Sequence, residues 1–216
     1  MISAVSRKNL IDIGVIRTFP AKYVLLRQGD PGASVWLLLD ALVKVTAAAE
    51  NGSQTLLAVR VSGDLVGEMA VIDGSSRHAT VSTCGRAVVC QIKGPRFVDY
   101  LRRDAAASMA LNQQAIWRLR WSNQRRLDFA GYETPICLAR LLLALAARHG
   151  HRGPDGVEIG APLTQAELGS LVGAKEGTVQ KALRELAARG LVLPGHRSVT
   201  IVDVAGLTAF ADLPTR

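Results

Sequence analysis

Aromatic residues make up only 5% of this 216-residue chain, and cysteine appears three times. Cys84, Cys90 and Cys137 form no CxxC pair and leave one thiol over, which argues against a disulfide frame, a zinc site or an iron–sulfur cluster and for reduced, buried thiols. The longest apolar stretch, residues 136–147, is interrupted by Arg140 and is too short to span a bilayer, so no membrane role is expected. The first twenty residues show no apolar core followed by a small-residue cleavage site, and a cytoplasmic protein is expected. No block of five like charges occurs, which argues for a folded basic surface rather than a disordered basic arm. The four histidines, at 78, 149, 151 and 196, keep company with no Ser-His-Asp or paired-carboxylate pattern, so catalysis is not expected.

What is present is a folding chain with a positive surplus. Apolar residues supply 49% of the sequence, enough for one large core or two smaller ones, and 26 Lys and Arg stand against 18 Asp and Glu. Ten basic residues face seven acidic ones before Pro95, and sixteen face eleven after it. An excess spread in this way draws phosphates to a folded surface, and a polyanion partner is expected.

Short β-branched and Leu runs at 35–39, 43–45, 56–61, 80–83 and 88–92 are separated by Gly, Asp, Asn and Ser, which predicts an antiparallel β-domain over 23–92. From 96 to about 129 Gly and Pro are absent and Ala, Leu, Arg, Gln and Met dominate, which predicts one helix roughly 50 Å long. Along it Ala105, Met109, Asn112, Ile116, Leu119 and Asn123 recur at alternating spacings of four and three, the repeat of a coiled-coil seam that needs a partner helix. The competing arrangement lays the helix on its own β-domain; Trp117 and Trp121, one turn apart on another face, suit that contact. Gly131 and Thr134-Pro135 mark a hinge, with Thr134 expected to cap a Leu-rich helix. Residues 149–162 read as a loop around a short strand at 157–159.

Thr164-Gln165-Ala166-Glu167 is a capping box, after which Leu168, Leu171 and Val172 form an inner helical face and Gly173 permits a sharp turn. Val179, Ala182, Leu183 and Leu186 continue a second amphipathic helix. Two short helices joined by such a turn set a recognition helix into the major groove of double-stranded DNA. The outward side of the second helix carries Lys175, Glu176, Thr178, Gln180, Lys181 and Arg184. The stretches 191–193 and 199–202 read as a wing with Arg197 at its tip. Thr164 and Gln165 stand at a helix N-terminus, where a hydroxyl and backbone amides suit phosphate. A plain helical hairpin with solvated charges is the alternative.

The segment Gly63-Asp64-Leu65-Val66-Gly67-Glu68-Met69-Ala70-Val71-Ile72, followed by Asp73-Gly74-Ser75-Ser76 and Arg77-His78-Ala79, resembles the phosphate-binding cassette of cyclic-nucleotide-binding domains. With the helix-turn-helix behind it, the order is similar to that of the CRP/FNR family of bacterial transcription regulators across nearly the whole chain. The resemblance implies an α+β fold: an antiparallel β-roll over 1–95, a dimerisation helix over 96–130 and a winged helix-turn-helix over 131–216. It implies a homodimeric DNA-binding regulator gated by a cyclic nucleotide, cAMP favoured over cGMP, with RNA polymerase as a further partner and no metal.

By the same resemblance Gly67, Met69 and Ala70 shape the cradle, Glu68 binds ribose, and Arg77 and His78 meet phosphate. Ser122 and Asn123 are the positions that meet the base, and Met109, Asn112, Ile116, Leu119 and Asn123 form the dimer interface. Four departures stand out. His78 replaces a small polar residue, and Ala41 a glycine. The base-reading positions hold Glu176, Gly177 and Lys181 where the family's best-known member has Arg, Glu and a later Arg, and Lys175 replaces a Ser cap. Open alternatives are a Glu68–Arg77 ion pair closing the roll without ligand, a haem input on His78 or Cys84, and an adaptor that docks protein through its winged domain.

Overall fold

In the computed structural model, which describes residues 4–212, the strand signals of the N-terminal third close into two facing sheets. After α1 (Ala4–Asp12) come β1 (Val15–Phe19), β2 (Val24–Leu26), β3 (Ser34–Asp40), β4 (Leu42–Ala48), β5 (Gln54–Val61) and β6 (Leu65–Val66). A short helix, α2 (Glu68–Asp73), precedes β7 (Thr80–Thr83) and β8 (Ala87–Lys93). The sheets run β1-β8-β3-β6 and β2-β7-β4-β5, and every pairing is antiparallel.

The alternation of side chains along β3 explains why its five central residues are all apolar. Trp36 and Leu38 face the roll interior with Leu25, Leu26, Val43, Val66 and Val81, whereas Val35 and Leu37 face Leu10, Phe97 and Leu111 on helices outside. Residues 15–19 precede the β-domain expected over 23–92, but β1 pairs with β8 at the sheet edge. Four of its five residues are exposed, so no buried alternation marks it.

The single helix expected over 96–129 is two. α3 (Gly94–Arg103) ends at Asp104, whose extended backbone (φ −120°, ψ 92°) breaks the ladder, and α4 (Ala105–Gly131) begins there. Asp104 caps the new helix by accepting from Ala107 N at 2.9 Å, and its other carboxylate oxygen accepts from the Tyr100 hydroxyl at 2.7 Å. With 27 residues α4 measures about 40 Å.

The chain divides into two compact units, 1–120 and 121–216. In the second, α5 (Thr134–His149) buries Leu138, Leu142 and Leu145 and is followed by β9 (Gly150–Gly153) and β10 (Gly156–Ile159). Then come α6 (Gln165–Val172), α7 (Glu176–Ala188), β11 (Val192–Gly195), β12 (Ser198–Ile201) and α8 (Val204–Phe210), with the strands ordered β11-β12-β10-β9. Two expectations shift here. The cap of α5 is Glu133 rather than Thr134, which has entered the helix ahead of Pro135. The segment read as a loop around one strand is a hairpin, because 150–153 pairs with 156–159 despite having no apolar alternation of its own. Among the described residues no helix is long and apolar enough to cross a membrane.

Candidate nucleotide cradle and DNA interface

The cradle is built on one backbone feature. β6 turns into α2 through Gly67, which adopts φ 82°, a left-handed conformation that L side chains rarely reach. A Cβ at this position would lie 2.7 Å from Leu26 Cδ1 and 2.8 Å from Arg77 Nη1, so both conformation and space demand glycine. Arg77 is fixed at both ends. Its backbone amide donates to Asp30 O at 2.8 Å, and its carbonyl accepts from Gly29 N at 2.8 Å. Its guanidinium, on a residue only 4% exposed, donates to Gly67 O and Ser34 O. Burial pushes its pKa down while Glu68 and then Asp30 hold it up, and the group remains a cation.

Around this pair the other cassette residues take distinct places. Ala70 is buried, whereas Met69 and His78 are exposed. Asp73 accepts from Ser75 N at 2.9 Å and Ser75 Oγ at 2.6 Å, bonds that with a lesser contribution from His78 hold its carboxyl below the usual range. The linker between α2 and Arg77 is thereby a fixed turn.

Glu68 is 7% exposed, and its ion-pair partner is not Arg77. Arg118, from α4, reaches its carboxylate at 2.5 Å and also donates to Leu65 O at 2.7 Å. One turn earlier Gln114 donates to Asp64 at 2.9 Å. The Glu68–Arg77 pair considered from sequence is therefore replaced by a Glu68–Arg118 pair, with Arg77 acting on Glu68 only through its charge. Arg118, Gln114 and Asp64 were not picked out from the sequence. Their signal is a second periodic face on α4 (Ala107, Leu111, Gln114, Arg118), which is half polar and so escapes a search for apolar repeats.

That face makes the bonds to the β-roll given above. Trp117 is 40% exposed, and the Trp121 ring stacks under Arg125 at 4.0 Å. The seam residues lie on another side of α4: Met109, Ile116 and Leu119 are 59%, 51% and 61% exposed, and Asn112 and Asn123 are exposed with them. An apolar stripe this open is unusual on a surface helix. Ser122 is half-buried.

In the second unit the capping box is complete: Thr164 Oγ1 accepts from Glu167 N at 3.1 Å, and Thr164 N donates to the Glu167 carboxylate at 2.8 Å. Gly173 closes α6 in the left-handed conformation (φ 66°), and Lys175 caps α7 without a side-chain bond. Val179, Ala182, Leu183 and Leu186 are buried beneath α7, while Lys175, Glu176, Gly177, Thr178, Gln180, Lys181 and Arg184 are all exposed. Gln165 is half-buried at the start of α6. Gly195 pairs with Ser198, so His196 and Arg197 form the two-residue wing tip, with Arg197 at φ 56°. Among the described residues no three His, Cys, Asp or Glu side chains gather as a metal ion would need. Burial raises the pKa of the Cys90 and Cys137 thiols, away from any nucleophilic use.

Comparison with known proteins identifies both domains. Residues 16–104 match the family model described as a cyclic nucleotide-binding domain, and residues 138–210 match a Crp-like helix-turn-helix domain. The chain is 28% identical over 185 residues to a CRP-like cAMP-activated global transcriptional regulator of Mycobacterium tuberculosis, covering 86% of this chain and 83% of the relative. It is 25% identical over 188 residues to the cAMP-activated global transcriptional regulator CRP of Salmonella typhimurium, covering 86% and 89%. Among solved structures, the c-di-GMP-responsive global regulator CLP of Xanthomonas campestris shares the fold with a TM-score of 0.77 at 22% identity, covering 93% of this chain and all of the other.

Proposed function

The chain belongs to the CRP/FNR family of DNA-binding transcription regulators, and from that premise we propose that it acts as a homodimer gated by a cyclic nucleotide, cAMP in preference to cGMP. One observation carries the reading: a left-handed Gly67, a buried Arg77 cation and the Glu68 carboxylate converge at the opening of α2. Arg77 spends two of its five N–H donors on carbonyls and keeps the others for phosphate oxygens, and an anion repays the desolvation of a buried cation. Glu68 offers its second carboxylate oxygen to a ribose hydroxyl while Arg118 holds the first. Met69, Ala70 and His78 complete the contacts, and the base contacts assigned to Ser122 and Asn123 rest on the family resemblance. The preference for cAMP rests on the relatives' names.

In this reading residues 1–95 sense, 96–130 pair the protomers and 131–216 read DNA. Lys181 and Glu176 face bases, and Thr164, Gln165, Lys175, Thr178, Gln180, Arg184 and Arg197 serve phosphates or register. Pairing along Met109, Asn112, Ile116, Leu119 and Asn123 would set two recognition helices about 34 Å apart, one turn of duplex. The nucleotide gates only by binding two arrangements unequally; each tenfold preference moves the equilibrium about 1.4 kcal/mol. The complex would act in the cytoplasm beside RNA polymerase.

Calorimetry with cAMP and with cGMP, followed by DNA selection with and without the tighter ligand, tests the reading. Saturable cAMP binding that strengthens sequence-specific DNA binding is expected. If neither nucleotide binds, the gating falls and a nucleotide-independent regulator remains.

A further inference from the structure

Four glycines fall between 165 and 190, and the fold itself explains three of them. Gly173 and Gly190 adopt left-handed φ values of 66° and 71°, and a Cβ at Gly169 would lie 2.4 Å from Ala174 O. Gly177 has neither reason. It is the second residue of α7, its φ lies outside the left-handed region, and a Cβ added there would meet no atom within 4 Å. A glycine in a helix loses more backbone freedom on folding than an alanine would, so at this position it lowers stability without serving the fold. Its place on α7 is specific. Val179, Ala182, Leu183 and Leu186 are buried beneath the helix, whereas Gly177, Lys181 and Arg184, at spacings of four and three, form an exposed line on the opposite side. A recognition helix turns such a line to the groove, and its N-terminal residues meet the base edges.

We propose that Gly177 is a specificity-determining residue: its missing side chain lets the first turn of α7 press its backbone against a base pair that carries thymine, beside the guanine read by Lys181. The inference rests on the proposed docking of α7 in the major groove. The Cα of Gly177 offers neither donor nor acceptor, so a polar base edge seated against it would lose water without gaining a partner. Thymine presents an apolar group in the major groove, its C5-methyl, and is the base that suits the contact. Glycine supplies the close approach that any side chain at this position would prevent.

Selection from random duplex by the full chain, with and without cAMP, supplies the operator, and titration of that duplex followed by fluorescence anisotropy tests the assignment. Gly177→Ala is expected to raise the melting temperature by about 1 to 4 °C and yet to weaken operator binding at least roughly fivefold, with binding to an unrelated duplex unchanged. A glycine that only the fold required would lower the melting temperature when replaced. With the parent protein, deoxyuridine in place of thymine removes the methyl alone. At one position of the half-site this should weaken binding about fourfold per half-site, the worth of one buried methyl, and Gly177→Ala should be indifferent to it. Undiminished operator affinity in Gly177→Ala, a lowered melting temperature, or no thymine whose methyl matters overturns the role of Gly177 and leaves the docking of α7 standing. If no sequence is enriched, the docking falls and this role with it.

Discussion

Arg77 shows how a ligand contact and a fold contact share one side chain. Its guanidinium is bonded to Gly67 O and Ser34 O, so Arg77→Ala would orphan two carbonyls as well as remove a phosphate contact. Arg77→Lys is the cleaner test, since it keeps a cation but loses the planar fork. Nucleotide affinity should fall about 10- to 100-fold, the worth of one or two charge-assisted hydrogen bonds, with an unchanged circular dichroism spectrum. Unaltered affinity by calorimetry would remove Arg77 from the phosphate site. At this scale the sequence was legible where a motif fixes spacing, as with Gly67, Glu68 and Arg77. It was silent on Arg118, which lies 50 residues from its partner Glu68 on a helix with no motif of its own.

Helices were legible by composition, and their ends only where caps are written in side chains. The Thr164–Glu167 box announces α6 and forms as expected. Thr164→Ala should cost about 1 kcal/mol in urea denaturation, and a loss under roughly 0.3 kcal/mol would mean the box contributes little. The break between α3 and α4 was invisible, because one Asp among strong helix formers does not interrupt the composition. Its carboxyl is held below the ordinary range first by the Ala107 amide and then by the Tyr100 hydroxyl. A depressed folded pKa means the stabilisation is complete above the unfolded value near 3.8 and lost as pH falls through the folded value. Asp104→Asn, which still caps but cannot ionise, should lower the melting temperature at pH 7 and converge with the parent as the pH falls below the folded value. Parallel melting curves across that range would show that the charge at Asp104 does nothing for α4.

For the whole molecule, charge and pairing decide what binds. The surplus of eight is less telling than its placement: Lys175, Lys181, Arg184 and Arg197 all lie exposed on α7 or the wing, beside a Glu176 that repels phosphate. If Lys175, Arg184 and Arg197 meet phosphates in both protomers, log affinity for DNA should fall with log salt at a slope of about −5, and Arg184→Ala should flatten it by about 2 while weakening binding across sequences. A slope near zero would favour the adaptor reading. Such a slope presupposes two protomers. Met109, Ile116 and Leu119 are each more than half exposed along one line of α4, a cost in water that a partner helix would relieve by burying them. An aspartate in the middle of that line would have to be buried without a counter-ion, at several kcal/mol per protomer. Ile116→Asp should therefore yield monomers by light scattering at concentrations where the parent is dimeric. Its contacts to the β-roll through Leu111, Gln114 and Arg118 stay intact, so nucleotide heats should persist while affinity for a two-half-site operator falls more than about tenfold, because each half-site then binds alone. A dimer that survives the substitution would place the pairing surface off this seam and leave the exposed stripe without an explanation.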